Sequence, residues 1–151
     1  MNLIERLKAD LALALRVGHE PEVQTLRLLL SAVHNKEIQK KGEKKSAEGL
    51  NDEEVINLIR SEEKKRKESI TAFSAGKRMD LVKKESEELV YVSRYLPALM
   101  NREELEKYIK KSIPSLKSQE FGPAMKHIMA SLQGKADAGL VSQIVKKELG
   151  L

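Results

Sequence analysis

Residues 96–109 read LPALMNREELEKYI, and this stretch decides how the chain is organised. Pro97 ends any helix that reaches it, because proline lacks a backbone N–H and clashes with the preceding turn. Four residues later, Asn101 and Glu104 have the spacing of a capping box, in which each side chain bonds to the other residue's amide. The stretch therefore predicts that one helical domain ends before Pro97 and that another begins after it.

The same Asn-x-x-Glu spacing occurs twice more before the proline, at Asn2 with Glu5 and at Asn51 with Glu54. Apolar residues at helical spacing follow each pair, as expected of helices that bury one face. These two signals predict the first and third helices of a long-helix domain over residues 1–96.

Other local signals separate the remaining helices of this domain. Pro21 suits the first turn of a second helix, Gly76 suits the end of the third, and Asp80 is a candidate N-cap for the fourth. Residues 42–50 contain two glycines and no apolar period, so we predict a loop there. The N-terminal domain is thus expected to contain four helices.

The C-terminal segment, residues 97–151, has signals for three helices. Pro114 closes the first, Pro123 opens the second, and Asp137 can cap the third after a stop at Gly134. The predicted fold class is all-α, with a long-helix domain joined to a small three-helix domain.

The composition narrows the function classes. The chain has 151 residues, no cysteine and a formal net charge of +5. The absence of cysteine excludes disulfides and is typical of a reducing compartment, so we expect a cytoplasmic location. The longest apolar run, residues 11–15, is far shorter than the ~20 residues of a membrane span, and we expect no membrane partner. The positive charge favours an acidic partner such as nucleic acid.

No pattern of side chains indicates catalysis, a metal or a cofactor. Residues 134–137 lack the first glycine and the Ser or Thr of a phosphate-binding loop. The pair Glu87-Glu88 is interpreted as a solvated helix face rather than as an acid–base pair. The three histidines are interpreted as isolated, without a partner at metal-ligand spacing: His19, His34 and His127. We expect no catalytic residue, no metal and no cofactor.

The ratio of basic to acidic residues is higher in the C-terminal segment than in the rest of the chain. Residues 97–151 have nine bases and six acids, whereas residues 1–96 have 19 bases and 17 acids. Lys135 also lies in a turn beside a helix N-terminus, whose free amides attract phosphate. By contrast, the third helix has acidic and basic residues four positions apart, Glu62 with Arg66 and Glu63 with Lys67. Such pairs neutralise each other's charge on the helix surface. The predicted nucleic-acid contacts are Lys126, Lys135, Lys146 and Lys147, with Lys110 and Lys111 nearby.

Four short segments carry a family resemblance. They are Arg27-Leu28-Leu29-Leu30-Ser31-Ala32 with Asn35 and Glu37, residues 73–81 with Arg78 and Asp80, Tyr95-Leu96-Pro97, and Gly134-Lys135-Ala136-Asp137. In this order and at these separations they resemble the YqeY family over nearly the whole chain. Lys77 departs from the family pattern, in which a small or amide residue is common at that position.

The resemblance implies a long-helix domain followed by a three-helix domain that is similar to the tail of GatB. GatB is a subunit of the glutamine-dependent amidotransferase that converts misacylated Glu-tRNA or Asp-tRNA into Gln-tRNA or Asn-tRNA. The tail of GatB is the part of that enzyme that contacts the tRNA. The catalytic cradle of GatB lies in a separate domain that this chain cannot contain. The resemblance adds Arg78 to the candidate nucleic-acid contacts.

Three functional hypotheses follow. The leading one is a non-catalytic tRNA-binding accessory module that uses the C-terminal lysines. The alternative is a helical protein-interaction partner of amidotransferase subunits or of another complex. The third is a carbon–nitrogen ligase with glutamine as amido-N-donor, acting only through a composite site shared between chains.

Overall fold

The computed structural model describes residues 1–43 and 49–151 in full and Lys44 through its backbone. Over these residues the chain has seven α-helices, one short 3₁₀ turn and no strand, which confirms the all-α fold class. It divides into two compact units, Met1–Leu96 and Pro97–Leu151. The elements are α1 (Leu3–Val17), α2 (Glu20–Lys44), α3 (Asp52–Ala75), α4 (Met79–Ser93), α5 (Arg102–Ser112), the 3₁₀ turn (Ile113–Ser115), α6 (Phe121–Leu132) and α7 (Ala138–Glu148).

Capping side chains start four of these helices, as the sequence predicts. Asn2, Asn51 and Asn101 each accept a hydrogen bond from the amide of the glutamate three residues on, at 2.8, 2.8 and 2.9 Å. Each glutamate accepts a bond from the asparagine amide in return. Asp137 caps α7 by accepting from the Leu140 amide at 3.0 Å. A cap of this kind stabilises a helix by about 1 kcal/mol.

Two boundaries differ from the prediction. α2 continues through Gly42 to Lys44, and a 3.0 Å bond from Gln39 to Glu43 across this last turn helps to offset the cost of the glycine. The rest of the predicted loop includes residues 45–48, which lie outside the described part of the chain. Asp80 is not the N-cap of α4, because the helix begins at Met79 and Asp80 lies within its first turn, where its carboxylate pairs with Arg78 at 3.4 Å.

The turn between α3 and α4 contains a strained residue. Gly76 ends α3 with an ordinary φ of −82°, while the left-handed conformation falls on Lys77, whose φ is +57°. A side chain in this conformation costs about 1–2 kcal/mol, which glycine would not incur.

All four helices of the N-terminal unit contribute to one apolar core. Its fully buried side chains include Leu7, Leu26, Leu29, Val55, Ile59 and Val92. Tyr95, which follows α4, closes this core by donating a 2.6 Å hydrogen bond to Asp10 of α1. Burial, reinforced by that bond, raises the pKa of Tyr95 well above its ordinary value. Tyr95 therefore ties the end of the domain back to its first helix.

An ion-pair network lies at the packed interface between α3 and α4. Arg66 is 6% exposed, Glu88 is 9% exposed, and Arg66 Nε lies 3.5 Å from a Glu88 oxygen. This Nε makes no hydrogen bond, so its contact with Glu88 is purely electrostatic, whereas Nη1 donates to Glu62 at 3.1 Å. The interpretation of Glu88 as part of a solvated face is wrong, because α4 turns Glu88 towards α3 and leaves only Glu87 exposed.

A polar cluster ties the α1–α2 turn to the end of α4. His19 forms hydrogen bonds with Glu22 at 3.1 Å and with the Tyr91 hydroxyl at 3.2 Å. The interpretation of His19 as an isolated side chain is therefore wrong. Arg94 donates to Glu22 at 2.8 Å and lies 5.3 Å from the Tyr91 ring centroid. The hydrogen bond with His19, aided by Arg94 and opposed by burial, lowers the pKa of Glu22, and the bond to Glu22 raises that of Arg94.

The C-terminal unit has a core of its own. Side chains from α5, α6 and α7 meet there, including Leu105, Ile109, Ile128, Val141, Ile144 and Val145. A 2.7 Å hydrogen bond from the Met100 amide to the Lys135 carbonyl holds the segment before α5 against the α6–α7 turn. The helix ends of the unit are therefore fixed relative to one another.

Candidate nucleic-acid interface

Eight lysines of the C-terminal unit present uncompensated charge. All eight are exposed, and among the described residues none has a carboxylate oxygen within 4.0 Å. In the described part of the N-terminal unit, three lysines and five arginines form ion pairs, while other exposed lysines, among them Lys8, Lys64, Lys83 and Lys84, are unpaired as well. We call the eight the C-terminal lysines: Lys107, Lys110, Lys111, Lys117, Lys126, Lys135, Lys146 and Lys147.

Three of the six side-chain carboxylates of this unit are occupied near helix starts. Glu104 completes a capping box, Asp137 caps α7, and Glu106 pairs with Arg102 at 3.0 Å. Acids near helix N-termini and lysines near C-termini both complement the helix dipole. The three carboxylates so occupied are not available to the lysines at the ends of α5 and α7.

Two of the predicted contact residues line one groove between α5 and α7. Lys110 and Lys147 share it with Lys107, which the sequence analysis missed, and the groove has a volume of about 290 Å³. Its other lining residues are Glu103, Glu106, Ile144 and Glu148. The groove is thus mixed in charge, and a polyanion would meet it at its lysine-bearing side.

The remaining predicted lysines point elsewhere. The Lys146 ammonium lies 5.3 Å from the Phe121 ring centroid, towards the start of α6, whereas its neighbour Lys147 faces α5. Successive helical residues point about 100° apart, which accounts for this divergence. Lys126 on α6 and Lys135 in the α6–α7 turn are exposed, and no contact joins either to the groove. The structure therefore brings Lys110 and Lys147 to one groove and does not join Lys126, Lys135 or Lys146 to it.

Arg78 belongs to the N-terminal unit, in the turn between α3 and α4. Its guanidinium pairs with Asp80 at 3.4 Å, so its charge is locally compensated. The neighbouring Met79 is 63% exposed. Arg78 thus differs from the C-terminal lysines both in its position and in its partner.

A second hollow in the C-terminal unit was also missed by the sequence analysis. Lys117 and His127 line it together with Ser115 and Ser118, at the junction of the 3₁₀ turn and α6. The one signal for this hollow in the sequence is Lys117, which lies in a serine-containing loop after Pro114. His127 is ten residues away, and its place beside Lys117 depends on the fold.

Among the described residues, no group of three His, Cys, Asp or Glu side chains is placed to hold a metal ion. Within the same part of the chain, no helix is both long enough and apolar enough to cross a bilayer.

Comparison with known protein families matches residues 4–149 to the family described as Yqey-like protein. The chain belongs to the YqeY family. This confirms the family indicated by the four sequence segments.

Fungal relatives of this YqeY-family chain share the name "Altered inheritance of mitochondria protein 41, mitochondrial". One from Saccharomyces cerevisiae is 34% identical over 137 residues, covering 88% of this chain and 71% of the relative. One from Kluyveromyces lactis is 30% identical over 138 residues, covering 90% and 72%. One from Pyrenophora tritici-repentis is 27% identical over 153 residues, covering 98% and 81%. Both units therefore belong to the region shared with these relatives.

Proposed function

We propose that this YqeY-family protein is a non-catalytic accessory module that binds folded tRNA through the C-terminal lysines. The observation that carries the proposal is that these eight exposed ammonium groups have no carboxylate partner among the described residues. An unpaired surface lysine can approach a phosphate without first breaking an ion pair. Each phosphate so neutralised releases condensed counterions, which is the main driving force of sequence-independent binding.

The aromatic residues of the C-terminal unit favour phosphate contacts over base stacking. Tyr108 is half-buried and its hydroxyl donates to Ser131 at 2.7 Å. Phe121 packs against the core and lies beside Lys146. Neither ring is free to present a flat face to a base, as single-strand binding proteins do. Recognition of a folded RNA by its shape and backbone suits such a surface better.

The direct test replaces Lys126, Lys135, Lys146 and Lys147 with glutamine in the full chain and measures tRNA binding at several salt concentrations. The salt slope, the change of log affinity with log salt concentration, should become shallower by about one for each lysine that contacts a phosphate. The affinity at low salt should fall as well.

A matched control removes the same charge from the N-terminal unit. Lys8, Lys64, Lys83 and Lys84 are exposed and have no ion pair among the described residues. Their replacement with glutamine should leave most of the affinity and of the salt slope intact. Equal losses in both variants would show that net charge, not the C-terminal unit, governs binding.

A second candidate function is docking on a protein such as an amidotransferase subunit. It is favoured by two apolar side chains one turn apart on α1, Leu13 and Val17, which are 56% and 68% exposed. Exposed apolar side chains on one helix face often mark protein interfaces. Purification from cells with and without RNase separates the two functions, since a protein partner should remain bound after the RNA has been removed.

We propose the cytoplasm as the compartment, because a cysteine-free chain suits a reducing environment. The fungal relatives are named as mitochondrial proteins, which makes the mitochondrion the alternative. Cell fractionation with an antibody against the chain distinguishes the two.

A further inference from the structure

The hollow beside the 3₁₀ turn has the chemistry of an anion site. It has a volume of about 350 Å³ and is lined by Ser115, Leu116, Lys117, Ser118, Pro123, Ala124 and His127. No carboxylate is among these residues, in contrast to the α5–α7 groove with its three glutamates. The lining therefore offers an ammonium, an imidazole and two hydroxyl groups with no competing negative charge.

The loop that forms one wall of this hollow is held by four hydrogen bonds. The Leu116 amide donates to the Ile113 carbonyl at 3.1 Å, and the Gln119 side chain donates to the same carbonyl at 3.0 Å. The Ser115 hydroxyl donates to the Ser112 carbonyl at 2.8 Å, and the Glu120 amide donates to the Ser118 hydroxyl at 3.2 Å. A wall fixed in this way loses little conformational entropy when a ligand binds.

These bonds also determine which groups remain available. The Ser115 proton is already donated, so this hydroxyl can only accept. The Ser118 hydroxyl accepts from Glu120 and keeps its proton, which it can donate to a ligand. Lys117 and His127 are exposed, and neither has a hydrogen bond or ion pair among the described residues. The hollow thus combines three uncommitted donors, from Lys117, Ser118 and His127.

The geometry points to this hollow as a phosphate-binding site that takes a phosphate group of an RNA backbone. The assignment of RNA as the source rests on the proposed function, whereas the affinity for phosphate rests on the hollow itself. A tetrahedral oxyanion accepts hydrogen bonds from several directions, which suits a hollow lined by three uncommitted donors.

The first arm of the test uses inorganic phosphate and the intact chain. Ring-proton resonances of the three histidines are followed by NMR as phosphate replaces chloride at constant pH and ionic strength. We expect a saturable shift of the His127 resonances alone, since His19 and His34 lie in the other unit. In the Lys117→Gln variant, the phosphate concentration at half-saturation should rise about fivefold. Equal, non-saturating shifts of all three histidines would overturn the site.

The second arm uses tRNA and compares Lys117→Gln with Lys64→Gln, a matched loss of one exposed lysine from α3. The first change should weaken tRNA binding about fivefold at low salt and make the salt slope shallower by about one, while the second should do neither.

The two arms distinguish failure of the site from failure of the proposed function. If tRNA binds and Lys117→Gln changes neither affinity nor slope, the hollow does not receive an RNA phosphate, although the function stands. If tRNA does not bind and phosphate still shifts His127 saturably, the proposed function fails and the hollow is a site for free phosphate. If neither ligand acts, both inferences are wrong.

Discussion

Replacing Glu88 with leucine should destabilise the N-terminal unit, because it leaves Arg66 short of one partner in a place that water barely reaches. Arg66 is 6% exposed, and its Nε lies 3.5 Å from the Glu88 carboxylate. At an effective dielectric constant of 20, two unit charges at this separation attract by about 5 kcal/mol. Glu62, at 3.1 Å from Nη1, still compensates part of the charge. We therefore expect a net loss of about 2–3 kcal/mol.

Urea unfolding followed by two-dimensional NMR measures this loss separately for each unit. With a denaturant slope of about 1–3 kcal/mol per molar urea, the midpoint of the N-terminal unit should fall by about 1–2 M. The C-terminal midpoint should not change, since that unit has its own core. Glu87→Leu is the matched control, because Glu87 is exposed and its replacement should change stability by less than about 0.5 kcal/mol.

A double replacement completes this test. Arg66→Met combined with Glu88→Leu removes both buried charges and should recover most of the stability lost by Glu88→Leu alone. The reasoning is refuted if Glu88→Leu unfolds at the same urea concentration as Glu87→Leu, or if the double variant is no more stable than Glu88→Leu alone.

Three further changes test other parts of the fold. Lys77→Gly should raise the N-terminal midpoint by relieving a φ of +57°, worth about 1 kcal/mol, whereas Lys83→Gly within α4 should lower it by a similar amount. Asn101→Ala should cost about 1 kcal/mol in the C-terminal unit alone, as read from the same urea titrations; an unchanged midpoint would contradict the capping role. Because the pKa of Glu22 is lowered in the folded state, its contribution to stability is present above the ordinary value of 4.5 and is lost as the pH falls through the lowered pKa. Glu22→Gln should therefore unfold with a weaker dependence on pH in that acidic range, measured by thermal melts, and an identical dependence would count against the cluster.

Most of the fold could be predicted because its signals are local. A capping box is completed within four residues, so Asn2, Asn51 and Asn101 could be assigned without knowing what packs against the helices. Asp80 shows the limit of such a signal. The residue type suits an N-cap, but α4 begins one residue earlier, at Met79, so that Asp80 lies inside the first turn and pairs with Arg78.

The errors concern properties that depend on how helices pack. Glu88 follows an identical residue in the sequence, and only the rotation of α4 against α3 decides that one is buried and the other exposed. The hollow of Lys117 and His127 likewise forms where a 3₁₀ turn meets a helix. The C-terminal lysines were identifiable from the charge count, but their distribution around the unit depended on the directions of α5, α6 and α7.

The most direct test of the central claim is the affinity of the unmodified chain for tRNA between 50 and 200 mM salt. If at least four C-terminal lysines contact phosphates, a plot of log affinity against log salt concentration should be linear with a slope of about −3 or steeper. Absence of binding at 50 mM salt, or an affinity that salt does not change, would contradict the claim that these ammonium groups form an RNA interface.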